Sequence, residues 1–267
     1  MRGWSGDLVT IPDRSADPDP PCTVYQAPAS DFMDPRPNAP YCEPTTSYWQ
    51  EILESVPAAM LAPPWRMGYP ARLPDGRVLM LPIRPLAAQP AHAVASLLVN
   101  QAALEVVEQL GRMLADLLRP FAPTLLIGVP TLGLTLAPVV ARALGHTRYV
   151  PLGYSRKFWY DEALSAPVHS ITSPVPGKRV FLDPHLLPLL RGQRLALIDD
   201  ALSTGTTMQS SWDMVEALGG EVVACGVAML QGRRWADLLG PQRLPRVVGV
   251  LESPLLQAAP DGWVLRA

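Results

Sequence analysis

The segment Leu195-Ala-Leu-Ile-Asp-Asp-Ala-Leu-Ser-Thr-Gly-Thr-Thr207 decides the fold class. Residues 195–198 are apolar without a polar break, as in a strand covered on both faces. Two adjacent carboxylates, Asp199 and Asp200, end the run. A Ser/Thr/Gly turn then leads into a predicted helix over 206–218, stopped by Gly219-Gly220. In open parallel sheets ligands bind beyond the carboxyl ends of the strands, which is where this turn falls. A helix start offers unpaired N–H groups and a partial positive charge, both suited to a phosphate monoester. Gly205 lets the backbone approach an anion closely, and the hydroxyls of Ser203, Thr204, Thr206 and Thr207 add donors beside the backbone of Ala201 and Leu202. The two carboxylates are acceptors only, matched to a pair of vicinal hydroxyls beside that phosphate. Together these groups read as a cradle for a ribose 5-phosphate.

Other uses of the same residues fit less well. A Walker B strand also ends in acid, but the chain has no Gly-x4-Gly-Lys-Ser/Thr. In phosphoacceptor domains the acidic pair belongs to the first strand. A helix cap would use one carboxylate and leave the other idle.

Around the segment, strands and helices alternate. The pattern predicts a helix over 92–118, a strand over 125–129, a helix over 134–144 closed by Gly145, and a strand over 148–152. A loop-rich stretch with short strands near 169–172 and 179–182 follows, then the quoted strand and helix, a strand over 222–230, a last strand over 246–251 and a polar tail. Such alternation predicts an α/β fold with a mainly parallel sheet flanked by helices. Upstream, 71–83 reads as a hairpin turning at Asp75-Gly76, its two edge strands limited by Pro74 and Pro82. Residues 1–45 are crowded with proline and read as an extended or disordered arm, leaving 46–267 as the folded domain.

Composition excludes several classes. With 22 Lys+Arg against 24 Asp+Glu, the chain has no cationic excess for nucleic acid. The longest apolar runs fall short of a membrane span, and residues 1–11 lack the build of a secretory signal. Cys22, Cys42 and Cys225 are odd in number and far apart, which fits a reducing cytosol better than a disulfide framework. His92, His146 and His185 lack metal-ligand spacing.

The strand-Asp-Asp-x3-Thr-Gly-x-Thr pattern resembles the phosphoribosyl-pyrophosphate motif of type I phosphoribosyltransferases, and the resemblance runs in order over about 120–251. It implies that family's fold, a twisted mainly parallel sheet with a small hood, here from about 65–90 and the C-terminal tail. It also implies transfer of 5-phosphoribosyl from phosphoribosyl pyrophosphate to a purine base, with Mg²⁺ as cofactor, no metal ligand assigned to the protein, and a homodimer. Asp199 and Asp200 would hold the ribose. Pro130, Thr131, Leu132 and Gly133, with Arg156 and Lys157, would take the pyrophosphate. Leu79, Asn100 and Gln231 would meet the base. Within the family the likeness is to adenine and xanthine enzymes, with departures from both. His169-Ser-Ile-Thr-Ser173 replaces the Leu-Glu-Tyr of adenine enzymes, Gln231 replaces a lysine of xanthine enzymes, and Leu132 replaces a common Lys or Arg. The alternative function is a non-catalytic sensor of the same fold.

Overall fold

The computed structural model describes residues 47–168 and 178–266. The Pro-rich arm, the strand expected over 169–172 and the segment His169–Ser173 lie outside these residues.

In chain order, a short helix α1 (Ala58–Leu61) precedes strands β1 (Gly68–Arg72), β2 (Val78–Leu86) and β3 (Gln89–Ala95) and helix α2 (Leu104–Leu118). Strand β4 (Leu125–Gly128), helix α3 (Gly133–Ala143) and strands β5 (Val150–Pro151), β6 (Ser165–Pro167) and β7 (Arg179–Phe181) follow. The chain continues with β8 (Arg194–Leu202), α4 (Thr206–Ala217), β9 (Glu221–Gln231), α5 (Arg234–Leu239), β10 (Val247–Ser253), β11 (Leu255–Ala259) and β12 (Gly262–Leu265).

The central sheet has the order β10-β9-β8-β4-β5 and is parallel throughout. Its strands are uniformly apolar because helices cover both faces. Alternation along the strands still sorts the side chains. Leu126, Ala196, Ile198 and Ala224 face one core with Leu110 and Leu114 of α2 and Leu136 and Val140 of α3. Leu125, Ile127, Leu195, Leu197 and Cys225 face the other, with Met208, Trp212 and Val215 of α4. Helices α2 and α3 meet at Gly111, where a Cβ would lie 2.4 Å from Val139 Cγ1. Each fully buried leucine here contributes roughly 1.5–3 kcal/mol.

The second sheet is antiparallel, in the order β1-β2-β3-β11-β12. The expected hairpin is its β1-β2 pair, but the loop spans residues 73–77 and β2 is an inner strand, bonded on both sides. Pro82 and Pro85 are accommodated there, with a register shift between Pro85 and Leu86.

Three expectations need correction. The helix predicted over 92–118 begins only at Leu104, since residues 89–95 pair with β2 and β11 as a strand. Alanine-rich sequence favours helix locally, but long-range pairing overrides a weak propensity. The quoted strand extends through Leu202, so both aspartates lie within β8. The polar tail is not a tail: β11 and β12 form a hairpin whose Leu256 is wholly buried with Trp65 and Ile83.

Candidate active site

Strand order reverses around β4, with β5 on one side and β8 on the other. A crevice must open beyond their carboxyl ends. It is a cavity of about 590 Å³, walled by the end of β8 and the turn into α4, by residues 130–132 after β4, and by the antiparallel sheet.

Asp199 is 8% exposed. Its Oδ1 accepts the Asp200 N–H at 2.9 Å, and its carboxylate also accepts the Gly133 N–H from the start of α3. Gly133 is indispensable to this contact, because a Cβ would lie 2.5 Å from Ile198 O and 2.7 Å from Asp199 Cα. Burial, then the neighbouring Asp200 charge, holds the Asp199 carboxyl well above the usual carboxylate range, and burial raises Asp200 as well. Beneath them Cys225 is wholly buried, its thiol pushed up by burial and the Asp199 charge, and so unreactive.

The turn runs from Ala201 to Thr207, and every residue of it lines the cavity. Gly205 caps α4 at φ +86°, with Trp235 Cα only 3.2 Å from where a Cβ would be, so both conformation and space demand glycine. The first turn of α4, Thr206 to Met208, lines the crevice. Thr204 Oγ1 and Thr206 Oγ1 lie 3.3 Å apart. Across the cavity, Pro130, Thr131 and Leu132 bring backbone groups to the wall, with the Pro130–Thr131 peptide cis.

Not every expected residue is there. Arg156 and Lys157 are exposed and off the cavity wall; Arg156 pairs with Glu162 at 3.4 Å, because the chain after Gly153 bridges to Phe181 and turns outward. Leu79 is wholly buried against the α2 core by the pleat of β2. Asn100 is exposed in the turn Val99–Gln101 and is not among the residues that line the cavity, although Ser96, Leu97 and Leu98 are. Of the three residues expected at the base, Gln231 alone lines the cavity.

Residues from distant parts of the chain complete the site. Tyr154 lines the cavity and shares a hydrogen bond with the Thr207 hydroxyl, and burial together with the two aspartate charges pushes its phenol up to about 12. Lys178 Nζ lies 3.7 Å over the Tyr154 ring. Arg233, Arg234 and Arg266 also line the cavity, and among the described residues no carboxylate pairs with them or with Lys178. A chain with no overall cationic excess thus concentrates unpaired cations where an anion would bind. Nothing local in the sequence distinguishes Arg233-Arg234 from a solvated surface pair, and no local signal marks Tyr154, Lys178 or Arg266.

Comparison with known proteins agrees with this geometry. A family model described as the phosphoribosyl transferase domain matches residues 94–241. An adenine phosphoribosyltransferase of Oenococcus oeni is 36% identical over 144 residues, 54% of this chain and 76% of the relative. A xanthine phosphoribosyltransferase of Chloroflexus aurantiacus is 32% identical over 120 residues, 45% of this chain and 55% of the relative. The crystal structure of adenine phosphoribosyltransferase from Thermoanaerobacter pseudethanolicus, 20% identical, superposes with a TM-score of 0.50 over 64% of this chain and 95% of that one. The enzyme from Giardia lamblia complexed with 9-deazaadenine, 17% identical, gives 0.52 over 64% of this chain and 93% of that one. Likeness at that identity is a likeness of fold.

Proposed function

Because the chain belongs to the phosphoribosyl transferase domain family, we propose that it transfers 5-phosphoribosyl from phosphoribosyl pyrophosphate to a purine nitrogen, releasing pyrophosphate. The observation that carries this is the juxtaposition of Asp199 and Asp200 with the 201–207 turn in one cavity. The amides and hydroxyls of the turn hold the 5-phosphate, and the carboxylates accept from the two ribose hydroxyls. Backbone groups of residues 130–132 face the pyrophosphate, and Lys178 stands on the same cavity wall to offset its charge. The C1′–O bond to pyrophosphate breaks as C1′–N forms, and the base gives up the proton of that nitrogen. Charge builds on the sugar ring as the bond breaks, as in other glycosidic displacements. The carboxylates and the fixed dipoles of the cavity meet that charge without reorganising.

Mg²⁺ is the cofactor this reaction calls for. Among the described residues no three Asp, Glu, His or Cys side chains cluster to cage an ion. The donor set fits a hard cation carried in on substrate oxygens, with Asp199 and Asp200 the carboxylates that line the cavity among the described residues. When bound it supplies charge neutralisation on the leaving pyrophosphate. We propose further that residues 46–267 form the catalytic unit and work as a homodimer in the cytosol; among the described residues no helix is long and apolar enough to cross a membrane.

The test is incubation of the protein with phosphoribosyl pyrophosphate, Mg²⁺ and adenine, guanine, hypoxanthine or xanthine in turn, following nucleotide and pyrophosphate. Formation of a nucleoside monophosphate is expected. Tight binding of phosphoribosyl pyrophosphate with no turnover on any base would replace the enzyme with a sensor.

A further inference from the structure

The wall of the cavity contributed by the antiparallel sheet is where a base would lie, opposite the aspartates and the phosphate turn. That wall is mostly apolar, with Leu86, Val94, Leu97 and Leu255. Its polar side chains are Ser96, Arg266 and Gln89, the last exposed and bonded through Oε1 to His92 Nδ1, with Gln231 at the end of β9 beside them.

Gln231, at the end of β9, donates Nε2–H to Ala95 O at 3.1 Å. The same carbonyl accepts the Ser253 hydroxyl at 3.1 Å. A backbone carbonyl has two lone pairs and no proton, so it is saturated, and the Gln231 amide cannot turn its oxygen toward it. The amide oxygen of Gln231 and its second N–H are left for the cavity. An amide reads the N6/N7 edge of adenine through its oxygen and its nitrogen together. With one N–H engaged and the other free, Gln231 by itself does not discriminate between adenine and an oxopurine.

Arg266, just after β12, is held in place by its backbone N–H, which donates to Leu255 O at 2.9 Å. Its side chain is half-buried in the cavity wall, with no carboxylate partner among the described residues. A guanidinium donates and never accepts, and its fork matches the two adjacent acceptors O6 and N7 of an oxopurine. Adenine places an amino group at position 6, a donor that would face a donor. Among the described residues the carboxylates that line the cavity are Asp199 and Asp200, at the end of β8.

We propose that Arg266 selects a 6-oxopurine (hypoxanthine, guanine or xanthine) over adenine as acceptor, resting on the transfer activity proposed above. Arg266 forks onto O6 and N7, and the Gln231 amide oxygen is left to accept a ring N–H.

The experiment measures kcat/KM for hypoxanthine, guanine, xanthine and adenine with phosphoribosyl pyrophosphate and Mg²⁺, in the full chain and in Arg266→Met and Arg266→Lys. In parallel, calorimetry measures binding of phosphoribosyl pyrophosphate, IMP, GMP, XMP and AMP. At least one 6-oxopurine should exceed adenine by tenfold or more. Arg266→Met should erase that preference mainly through KM, at an unchanged melting temperature, and Arg266→Lys should restore only part of it, because an ammonium lacks the fork. Equal or better use of adenine, or a preference that survives Arg266→Met, overturns the proposal and leaves phosphoribosyl transfer standing. If phosphoribosyl pyrophosphate binds but no base reacts, the nucleotides decide: AMP binding as tightly as IMP, GMP and XMP overturns it. If neither phosphoribosyl pyrophosphate nor any nucleotide binds, the transfer function fails and this selectivity falls with it.

Discussion

Gly133→Ala tests the joint on which the site depends. A Cβ at this position would lie 2.5 Å from Ile198 O, and ordinary van der Waals contact begins at 3.4 Å, so the start of α3 and the end of β8 must part by 3.4 − 2.5 = 0.9 Å. Both nearest atoms are backbone, in the central strand of a buried parallel sheet, and no flexible side chain can absorb the shift. Overpacking of this kind costs about 1–3 kcal/mol. At about 2–4 °C per kcal/mol for a domain of this size, the melting temperature should fall by roughly 2–12 °C. The shift acts on Asp199 itself, through the lost Gly133 N–H contact. A catalytic group misplaced by nearly 1 Å costs about 100-fold in rate, so kcat/KM for phosphoribosyl pyrophosphate should fall by about that factor. Gly76→Ala is the control: its φ is +89°, but nothing lies within 4 Å of the added Cβ, and the hairpin loop is remote from the cavity. It should cost roughly 1 kcal/mol and leave kcat/KM unchanged. Melting curves and initial rates on both variants suffice. If Gly133→Ala melts and turns over like the parent, the close approach of α3 to β8 does not hold Asp199, and the reasoning is wrong.

The double variant Asp199→Asn, Asp200→Asn should lose measurable binding of phosphoribosyl pyrophosphate while keeping its fold; calorimetry showing unchanged affinity would remove the cradle. The same pair predicts a pH dependence. Their folded carboxyls titrate above the unfolded value of about 3.9, so the folded state binds more protons, and stability falls as pH rises from that value through the raised range. The melting temperature of the double variant, measured against the parent, should therefore gain as pH goes from about 4 to 7; a constant difference would show that the carboxyls titrate normally. Ribose 5-phosphate should bind more weakly on acidification than inorganic phosphate does, with a midpoint above the ordinary aspartate range, and parallel losses for the two ligands would mean that the carboxylates do not hold the sugar. Ser253→Ala removes one of the two side-chain bonds to Ala95 O that join the end of the parallel sheet to β3. It should cost about 1 kcal/mol in thermal unfolding, and an unaltered melting curve would show that the bond carries no stability.

The part of the site that was legible is contiguous. From Leu195 to Thr207 the chain itself supplies strand, carboxylates, turn and helix start, and their geometry follows from local rules: an apolar run makes a covered strand, Gly205 permits the cap, and the helix amides come next in sequence. The fold class was legible for the same reason, since the strands and helices of the parallel half carry their own periods, and helices α3 and α4 their own glycine stops at Gly145 and Gly219. The misreadings lie where the evidence is long-range. Residues 89–95 look helical alone and become a strand only because β2 and β11 lie beside them. Leu79 was placed in the right strand and on the wrong face.

The sequence by itself determined that a parallel sheet ends in a Ser/Thr/Gly turn and a helix start beside two carboxylates, because thirteen consecutive residues contain all of those groups. Only the tertiary structure decided which cations reach the cavity. Arg156 and Lys157 stand near the motif in family order yet face solvent, whereas Lys178, Arg233, Arg234 and Arg266 converge on the cavity. A cation's sequence neighbours do not reveal where its side chain ends. That depends on how two sheets pack, and on which carbonyl has already taken the Gln231 amide.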